Sequence, residues 1–439
     1  MSSPARKARS KPSGPRVLAL MPALMPSTVI AVVKPLIVLH QQSRIVLDVQ
    51  LERSVSRRRV ALADVVVFCR NCEPRYASAL DTVMAAAKPY IYVLDDDLFN
   101  LPASSEVAAY HHDPLVRRQL EEYVAGAQLV TVFSKTLAKK ARFLNPRVET
   151  VAGSVDFRLL SRPHPRSSDE PLRIVYATSR RKDDLAQLFA YDLLRLLDRQ
   201  YPKVEAHVWG CRIPELANHP NVRFVDFIPD YDRYLRRFSR CGFDIGLAPL
   251  LDDNFHRSKT NNKYREYGAC RIAGIYSDVD VYTRCVQHEV NGLIVSNTPG
   301  AWHDAMLRLI EDEPLRERIR GHAFRDVRER YSLESAQDTW WRQIESVLGE
   351  WDSSPVTVKA FGDSAPGSIV GSGPQRTAAA PGGPTGHHIA RLRRRLATLT
   401  RMTPGRAWDG LNRRWSQQYA LCKIWLATSP LERLRRREP

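Results

Sequence analysis

Short apolar runs alternate with longer amphipathic stretches in two successive parts of the chain. This alternation is typical of parallel strands separated by helices, because a strand that is buried on both faces reads as one apolar run. In the first part, the runs that we interpret as strands are residues 17–20, 44–48, 64–68, 90–94 and 129–133. In the second part, they are residues 172–176, 204–209, 222–227, 243–247, 274–276 and 292–295. The pattern therefore predicts an α/β protein with two doubly wound domains.

Breaks in this pattern divide the 439 residues into five segments. Residues 161–171 are polar, rich in proline and without periodicity, as expected where two domains are connected. Residues 352–386 are rich in Ser, Gly, Pro and Ala, which favours a flexible linker. The segments that we expect are a disordered basic N-terminus at 1–15, an N-terminal Rossmann-like domain at 16–160, a C-terminal Rossmann-like domain at 161–350, a flexible linker at 351–386 and a basic amphipathic helical tail at 387–439.

The net charge of +18 lies mainly at the two ends of the chain. Residues 1–16 carry five Lys and Arg and no acid, and residues 387–439 carry thirteen Lys and Arg against three acids. The part between them is almost neutral, so a nucleic-acid-binding core is disfavoured. No run reaches the roughly 18 apolar residues of a membrane span, and no signal-peptide cleavage site follows the apolar stretch 17–25. These features predict a cytoplasmic protein.

The seven cysteines are scattered, and only Cys69 and Cys72 lie close together in the chain. A zinc site would need a second close pair or histidines at ligand spacing, and neither follows. The pair comes after a predicted strand and does not open a helix, which disfavours a redox motif. We expect reduced structural thiols and no metal site.

The segment 258–270 combines groups that are suited to binding a nucleoside diphosphate. Ser258 is a good N-cap for a helix that runs from there to residue 270, and a helix N-terminus attracts phosphate. Four polar side chains would share one face of that helix: Lys259, Asn262, Lys263 and Glu266. Lysines there can neutralise a diphosphate, and a carboxylate one turn further can accept both hydroxyls of a ribose. The alternative is an exposed helix with a Lys263–Glu266 pair on a solvated face.

The position of this segment favours the binding interpretation. It follows the predicted strand 243–247 and precedes the predicted strand 274–276, so it lies where a doubly wound sheet opens onto its cleft. No glycine-rich phosphate loop follows the first predicted strand at 17–20, which argues against a dinucleotide-dependent oxidoreductase.

Four stretches of the second part resemble, in order and spacing, the donor half of GT-B-fold glycosyltransferases. They are residues 243–249, 259–269, 274–279 and 291–295. The likeness is greatest to the retaining "glycosyl transferases group 1" set that builds bacterial surface polysaccharides. The resemblance implies a GT-B fold, with two facing Rossmann-like domains that bind the acceptor in the first and the donor in the second. It also implies hexosyltransferase-type transfer with retention from a nucleotide-sugar substrate to a glycan or polyprenyl-linked acceptor, without a required cofactor or metal.

The resemblance also implies roles for single residues. Glu266 matches the glutamate that holds the nucleotide ribose. Lys259 and Lys263 resemble the basic residues that hold the donor diphosphate. Arg181 lies in a basic loop after the predicted strand 172–176, and the corresponding loop also faces the diphosphate in such enzymes.

The sequence departs from the family pattern at three positions. Ser258 stands where the family has the first of two glutamates, which lie eight positions apart. Arg271 and Ala273 stand where Gly and Pro usually follow the helix. Asp252 or Asp253 is the candidate to take over the sugar-contacting role of the missing acid.

Three consecutive acids, Asp95, Asp96 and Asp97, directly follow the apolar run 90–94 and therefore lie at the edge of the predicted cleft. They could order acceptor hydroxyls, serve as a base, or cap the next turn. No catalytic residue is assigned, and the candidates are Asp95, Asp96, Asp97, Asp252 and Asp253.

The tail at 387–439 places Leu and Trp at helical spacing among arginines. Basic amphipathic helices of this kind suit an anionic membrane surface, where polyprenyl-linked acceptors lie, and predict a peripheral position on the inner face of the membrane. RNA or DNA binding and docking to a partner protein are the alternatives for the tail.

Three other functions stay open at this point. A catalytically inactive GT-B scaffold is suggested by Ser258, which replaces an acid. A GT-B sugar-nucleotide epimerase would need catalytic acids in the cleft. A nucleic-acid-binding protein would act through the basic tail and is the least favoured, because the core is nearly neutral.

Overall fold

The computed structural model describes residues 14–103, 105, 107–161, 170–179, 184–198, 204–353 and 424. Nearly all residues of the expected N-terminal segment and of the expected linker lie outside this part of the chain. The same holds for the expected tail apart from Ile424, whose side chain is buried.

Two six-stranded parallel sheets form the centre of the described structure. The first, in the spatial order β2-β1-β3-β4-β5-β6, consists of β1 (Arg16–Met21), β2 (Val46–Leu51), β3 (Val65–Cys69), β4 (Tyr90–Leu94), β5 (Leu129–Val132) and β6 (Val148–Thr150). The second, in the order β12-β11-β10-β7-β8-β9, consists of β7 (Leu172–Ala177), β8 (Val204–Trp209), β9 (Val222–Val225), β10 (Ile245–Ala248), β11 (Ala273–Ser277) and β12 (Leu293–Val295). The predicted α/β fold with two doubly wound sheets is confirmed.

Helices connect the strands of both sheets. Those of the first half are α1 (Pro26–Thr28), which continues through a π-helical turn (Val29–Val33) into α2 (Lys34–Gln41), and then α3 (Arg57–Leu62), α4 (Ser78–Ala85), α5 (Ala108–His111), α6 (Pro114–Ala125) and α7 (Lys135–Ala141). Those of the second half are α8 (Ala190–Asp198), α9 (Tyr231–Arg240), α10 (Asn262–Ala269), α11 (Asp280–Thr283), α12 (Ala301–Glu311), α13 (Glu313–Arg330) and α14 (Leu333–Ser353). No helix among these described segments is long and apolar enough to span a membrane.

The central strands are apolar throughout because helices cover both faces of each sheet. All five residues of β3 and all five of β4 are buried. Val66 and Phe68 pack into one core cluster of the first sheet, whereas Val65 and Val67 pack into the cluster on the other face. Because successive side chains of a strand point to opposite faces of the sheet, one strand contributes to the core on each face.

The last helix, α14, packs against the first sheet and not against the second. Trp340, Ile344 and Val347 belong to the same core cluster as the strand residue Val67. The indole Nε1 of Trp340 donates to the carbonyl of Ala31 at 3.1 Å. The range 161–350, which the sequence predicts to form the second domain, therefore ends in a helix that packs against the first sheet.

Two segments of the described chain connect its two halves, one after β6 and one just before α14. These two segments lie side by side. Val155, after β6, forms a parallel bridge with Ser332, just before α14. The Val155 N–H group donates to the carbonyl of Tyr331 at 2.8 Å. Within the sheets, the strand order reverses between β1 and β3 and between β7 and β10. Ligands of doubly wound sheets bind beyond the carboxyl ends of the strands at such points.

Candidate functional site

The segment between β10 and β11 starts with a tight turn and becomes helical only later. Residues His256–Ser258 form a 3₁₀ turn, and the Asp253 carboxylate accepts a hydrogen bond from the first N–H group of that turn at 2.8 Å. Lys259 then adopts an extended backbone (φ −64°, ψ 166°), and α10 begins at Asn262. The predicted helix start at Ser258 is therefore wrong, because Asp253 caps a separate, earlier turn.

Glu266 on α10 is held between two hydrogen-bond donors. Its Oε2 accepts from the Lys263 ammonium at 2.7 Å and from the Tyr234 hydroxyl, on α9, at 3.1 Å. Glu266 is 7% exposed, so solvent screens these contacts weakly. Burial, and next the nearby Glu266 charge, raise the pKa of Tyr234 well above its usual value, so the hydroxyl remains a donor. Sequence reasoning missed Tyr234, because it lies on another helix 32 positions away.

The one-face arrangement predicted for four polar residues is wrong for Lys259. Lys259 precedes α10 and therefore belongs to no face of that helix. Asn262 is exposed at the first turn, where its Oδ1 accepts from the hydroxyl of Thr260 at 2.9 Å. Lys263 and Glu266 do share a face and form an ion pair.

Lys259 reaches across to the first domain and binds Asp96. Its Nζ lies 2.9 and 2.7 Å from the two carboxylate oxygens of Asp96, and 4.0 Å from the ring centroid of Phe255. Burial opposes ionisation of Asp96, but the charges of Lys259 and Arg70 outweigh it and lower the pKa of that carboxyl. Asp96 is thus an ionised partner for a lysine of the second domain.

A second contact between the domains involves Asp97 and Ser258, which are both fully buried. The Nζ of Lys140, on α7, lies 2.5 Å from Asp97 Oδ2, 3.0 Å from Ser258 Oγ and 2.7 Å from the carbonyl of Asn254. The Ser258 hydroxyl lies 3.2 Å from the same Asp97 oxygen. Ser258 is therefore part of an interdomain hydrogen-bond network. Sequence reasoning missed Lys140, because folding joins residues that are 118 positions apart.

Asp95, the first of the three consecutive acids, pairs with Arg70 of its own domain. The Arg70 Nε donates to Asp95 Oδ1, and Arg70 has a left-handed backbone (φ 62°) directly after β3. The second oxygen of Asp95 is buried without a hydrogen-bond partner among the described atoms. The nearest cation of each of the three acids is thus a different residue, and none of these pairings is visible in the sequence.

Asp252 and Asp253 are both engaged within their own loop. The guanidinium of Arg257 donates to the two oxygens of Asp252 at 2.6 and 2.8 Å, and these bonds lower the pKa of that half-exposed carboxyl. Asp253 Oδ2 lies 2.7 Å from the Nδ1 of His256. The contacts in this structure give both acids a role in shaping the loop.

A buried pair that the sequence analysis missed lies beyond the carboxyl end of β1. Glu52 follows β2 and Asn71 follows shortly after β3, which are the two neighbours of β1 in the sheet. The Asn71 amide donates to Glu52 Oε2 at 2.6 Å. Burial raises the pKa of Glu52 to about 7, although this hydrogen bond acts in the opposite direction.

Three expectations concern groups that could bind phosphate or metal. Arg181 lies outside the described residues, so its donor-binding role stays a prediction. Within the described part of the chain, no group of three or more His, Cys, Asp and Glu could hold a metal ion. Cys69 and Cys72 are buried free thiols, and burial raises the pKa of Cys72 to about 12.

Comparison with known families finds a match that covers the second sheet and not the first. Residues 172–312 match the family model "Glycosyl transferases group 1". This range contains Lys259, Lys263 and Glu266. No curated protein matches the sequence.

Solved structures resemble the whole two-sheet arrangement at low sequence identity. Anabaena Alr3699/HepE in complex with UDP-glucose is 15% identical with a TM-score of 0.54, over 76% of this chain and 100% of that chain. Sucrose-phosphate synthase from Thermosynechococcus elongatus is 12% identical with a TM-score of 0.55, over 76% and 100%. A glycosyltransferase from Rickettsia africae is 12% identical with a TM-score of 0.52, over 76% and 99%. The two sheets therefore have the GT-B fold, and residues 172–312 are similar to the glycosyl transferases group 1 family.

Proposed function

We propose that this protein is a hexosyltransferase-type glycosyltransferase that moves a sugar from a nucleotide-sugar donor to a glycan or lipid-linked glycan acceptor. The observation that carries the proposal is the arrangement of Lys263 and Tyr234 around Glu266, within the segment that matches the family model. A carboxylate whose position is fixed by two donors is suited to accept both hydroxyls of a ribose. The donor would bind to the domain at 161–350 and the acceptor to the domain at 16–160.

The departing nucleoside diphosphate needs positive charge, because electrostatic stabilisation of the leaving group is the main demand of such a transfer. Lys263 lies beside Glu266, and Lys259 precedes the same helix. In our proposal these two lysines hold the diphosphate, and Arg181 adds a third cation. Alr3699/HepE has been solved with UDP and with UDP-glucose, which supports a UDP-sugar as the first donor to test.

We propose that the transfer retains the configuration of the sugar. Asp95, Asp96 and Asp97 pair with cations, and Asp252 and Asp253 are engaged within their loop. These pairings favour a mechanism in which the acceptor hydroxyl attacks as the diphosphate leaves, without a protein nucleophile. Proton NMR of the first-formed product would report its anomeric configuration, and an inverted product would refute retention.

Nucleotide titration tests the donor site directly. Isothermal titration with UDP, GDP and ADP, followed by hydrolysis assays with the matching nucleotide sugars, should identify one tightly bound nucleotide. We expect the Glu266→Gln variant to bind this nucleotide about tenfold more weakly than wild type, since charge-assisted hydrogen bonds to the ribose are lost. Glu121→Gln is the matched control, because Glu121 pairs with Arg117 on the exposed face of α6. Wild-type protein that binds no nucleotide would refute the proposed function.

The second candidate is a catalytically inactive protein that binds nucleotide sugars without transferring them. The observation that favours it is Ser258, which replaces the acid of the family pattern and is buried in the Lys140–Asp97 network. Binding of a nucleotide sugar without hydrolysis, and without transfer to lipid-linked glycan acceptors, would establish this candidate over the enzyme.

We further propose a role in cell-surface polysaccharide assembly, on the inner face of the membrane. Residues 387–439 carry thirteen Lys and Arg against three acids, which suits an anionic surface. A polyprenyl-linked acceptor would be presented at that surface. Incubation with a nucleotide sugar and a polyprenyl-linked glycan in anionic vesicles tests this assignment, and transfer to soluble glycans alone would refute it.

A further inference from the structure

The Lys259 side chain has two competing partners, Asp96 and the proposed donor diphosphate. Lys259 is proposed above to hold the donor diphosphate, yet its ammonium binds both carboxylate oxygens of Asp96 at 2.9 and 2.7 Å. We infer that Asp96 is a positioning residue that competes with the donor diphosphate for Lys259, so that donor binding exchanges an interdomain ion pair for a lysine–phosphate contact. This inference rests on the proposed function, because it needs a nucleotide at Lys259.

The surroundings of the pair make such an exchange feasible. The Lys259 and Asp96 side chains are 23% and 17% exposed, so the pair lies near the surface and is not sealed in a core. Arg70 Nη2 lies 3.8 Å from Asp96 Oδ2 and would remain as a cationic partner when Lys259 moves away. A diphosphate carries more negative charge than a single carboxylate and can therefore outcompete it for the ammonium.

The neighbouring acid, Asp97, makes a more deeply buried contact with the second domain, which we expect to stay unchanged during the exchange. Its side chain is fully buried, and Lys140 joins it to Ser258 and to the Asn254 carbonyl of the second domain. Separating Lys140 from Asp97 would leave a buried carboxylate without its counter-ion, at a cost well above that of releasing Asp96. The Asp97 contact therefore holds the two domains together while the Asp96 contact is exchanged.

Titration of the full chain with its tightest-binding nucleotide among UDP, GDP and ADP tests the inference. We expect Asp96→Asn to bind that nucleotide about fivefold more tightly than wild type, since a competing ion pair of this exposure is worth about 1 kcal/mol. Asp48→Asn is the matched control, because it removes the same charge from a pair with Arg59 inside the first domain. Circular dichroism and thermal unfolding of each variant confirm that it is folded.

The outcomes separate the inference from the proposed function. Wild-type protein that binds none of the nucleotides would refute both. Binding by wild type together with equal or weaker binding by Asp96→Asn would refute the inference alone, and weaker binding would mean that Asp96 only orients Lys259 for the phosphate. A loss of turnover in Asp96→Asn at unchanged nucleotide affinity would identify Asp96 as a base instead.

Hydrogen exchange in the wild-type protein provides a test that needs no substitution. The Asp97 N–H group donates to Asp96 Oδ1 at 3.0 Å. If the nucleotide releases Asp96 from Lys259, the carboxylate gains freedom and this N–H group should exchange faster at saturating nucleotide. Slower or unchanged exchange in the peptide that contains Asp97 would contradict the proposed competition.

Discussion

At the scale of single residues, the sequence predicts which side chains are charged but not which of them form ion pairs. Asp95, Asp96 and Asp97 are indistinguishable as a run of acids, yet the nearest cation of each is a different residue: Arg70, Lys259 and Lys140. These partners come from other strands and helices, so their identity depends on the packed fold. The Lys263–Glu266 pair could be predicted, because three positions on a helix suffice to bring the two side chains together.

Restoring the family's acid at Ser258 should destabilise the protein and not activate it. Ser258→Glu would place a second carboxylate beside buried Asp97, and we expect the free energy of unfolding to fall by roughly 3–5 kcal/mol. Ser258→Ala should cost only about 1–2 kcal/mol, because it removes hydrogen bonds without burying a charge. Urea denaturation measures both changes. A Ser258→Glu variant as stable as wild type would show that the site tolerates the acid.

Glu52 should make stability depend on pH in a direction unusual for a carboxylate. Its pKa in the folded protein is about 7, above the ordinary 4.5, so the folded state binds more protons than the unfolded state between these values. Stability should therefore fall as the pH rises through this interval, by about 2–3 kcal/mol from this group.

Urea unfolding at about pH 5 and about pH 8 measures the contribution of Glu52 by comparison with Glu52→Gln, which should lose this part of the pH dependence. Glu122→Gln, an exposed acid paired with Arg118 on α6, is the control. Equal pH profiles for wild type and Glu52→Gln would contradict the assignment.

At the scale of elements, apolar runs predict the long central strands because those strands are buried on both faces. The three-residue strand β6 is missed, since two of its residues are exposed and no periodicity can develop. The start of α10 is misplaced for a chemical reason, because Asp253 caps a separate turn just before it. The sheet against which α14 packs could not be predicted from the sequence of this helix, because an apolar stripe does not specify which core it covers.

The packing of α14 can be tested by removing one of its core side chains. Ile344 is fully buried in the core of the first sheet, so we expect Ile344→Ala to lower the free energy of unfolding by about 2–4 kcal/mol. Arg342→Ala, on the exposed side of the same helix, should change it by less than about 0.5 kcal/mol. Denaturant unfolding followed by circular dichroism measures both variants. Equal stability of Ile344→Ala and wild type would refute the packing of this helix.

At the scale of the whole molecule, net charge is concentrated at the ends of the chain, whereas two acids that follow β4 contact the second domain. The ion pair of Asp96 with Lys259 and the hydrogen bond that Asp97 accepts from Ser258 lie directly after β4 and therefore at the carboxyl edge of the first sheet. The sequence predicts this edge as a site because strand ends follow from the pattern. It cannot show that the acids bind the other domain, since that depends on how the two sheets are brought together.

The basic tail should bind anionic vesicles through its charge. We expect co-sedimentation of the full chain with vesicles that contain anionic lipid, and a loss of about tenfold in partitioning when Arg393, Arg394 and Arg395 are replaced by Gln, at about 1 kcal/mol or less for each charge. Vesicles of neutral lipid are the control. Equal partitioning of wild type and variant would refute a membrane role for these arginines.

The contribution of α14 to the first core bears on the order in which the domains are completed during synthesis. Trp340, Ile344 and Val347 fill a core whose strands begin at Arg16, so the core around the first sheet is built from two separate parts of the chain. Domains generally fold as units while the chain emerges from the ribosome. The second sheet and its helices up to Arg330 are available before α14 emerges, so the domain that is synthesised first is the last to be finished. Until then its unfinished apolar face is open to solvent, and transiently exposed apolar surface of this kind makes folding intermediates prone to aggregate.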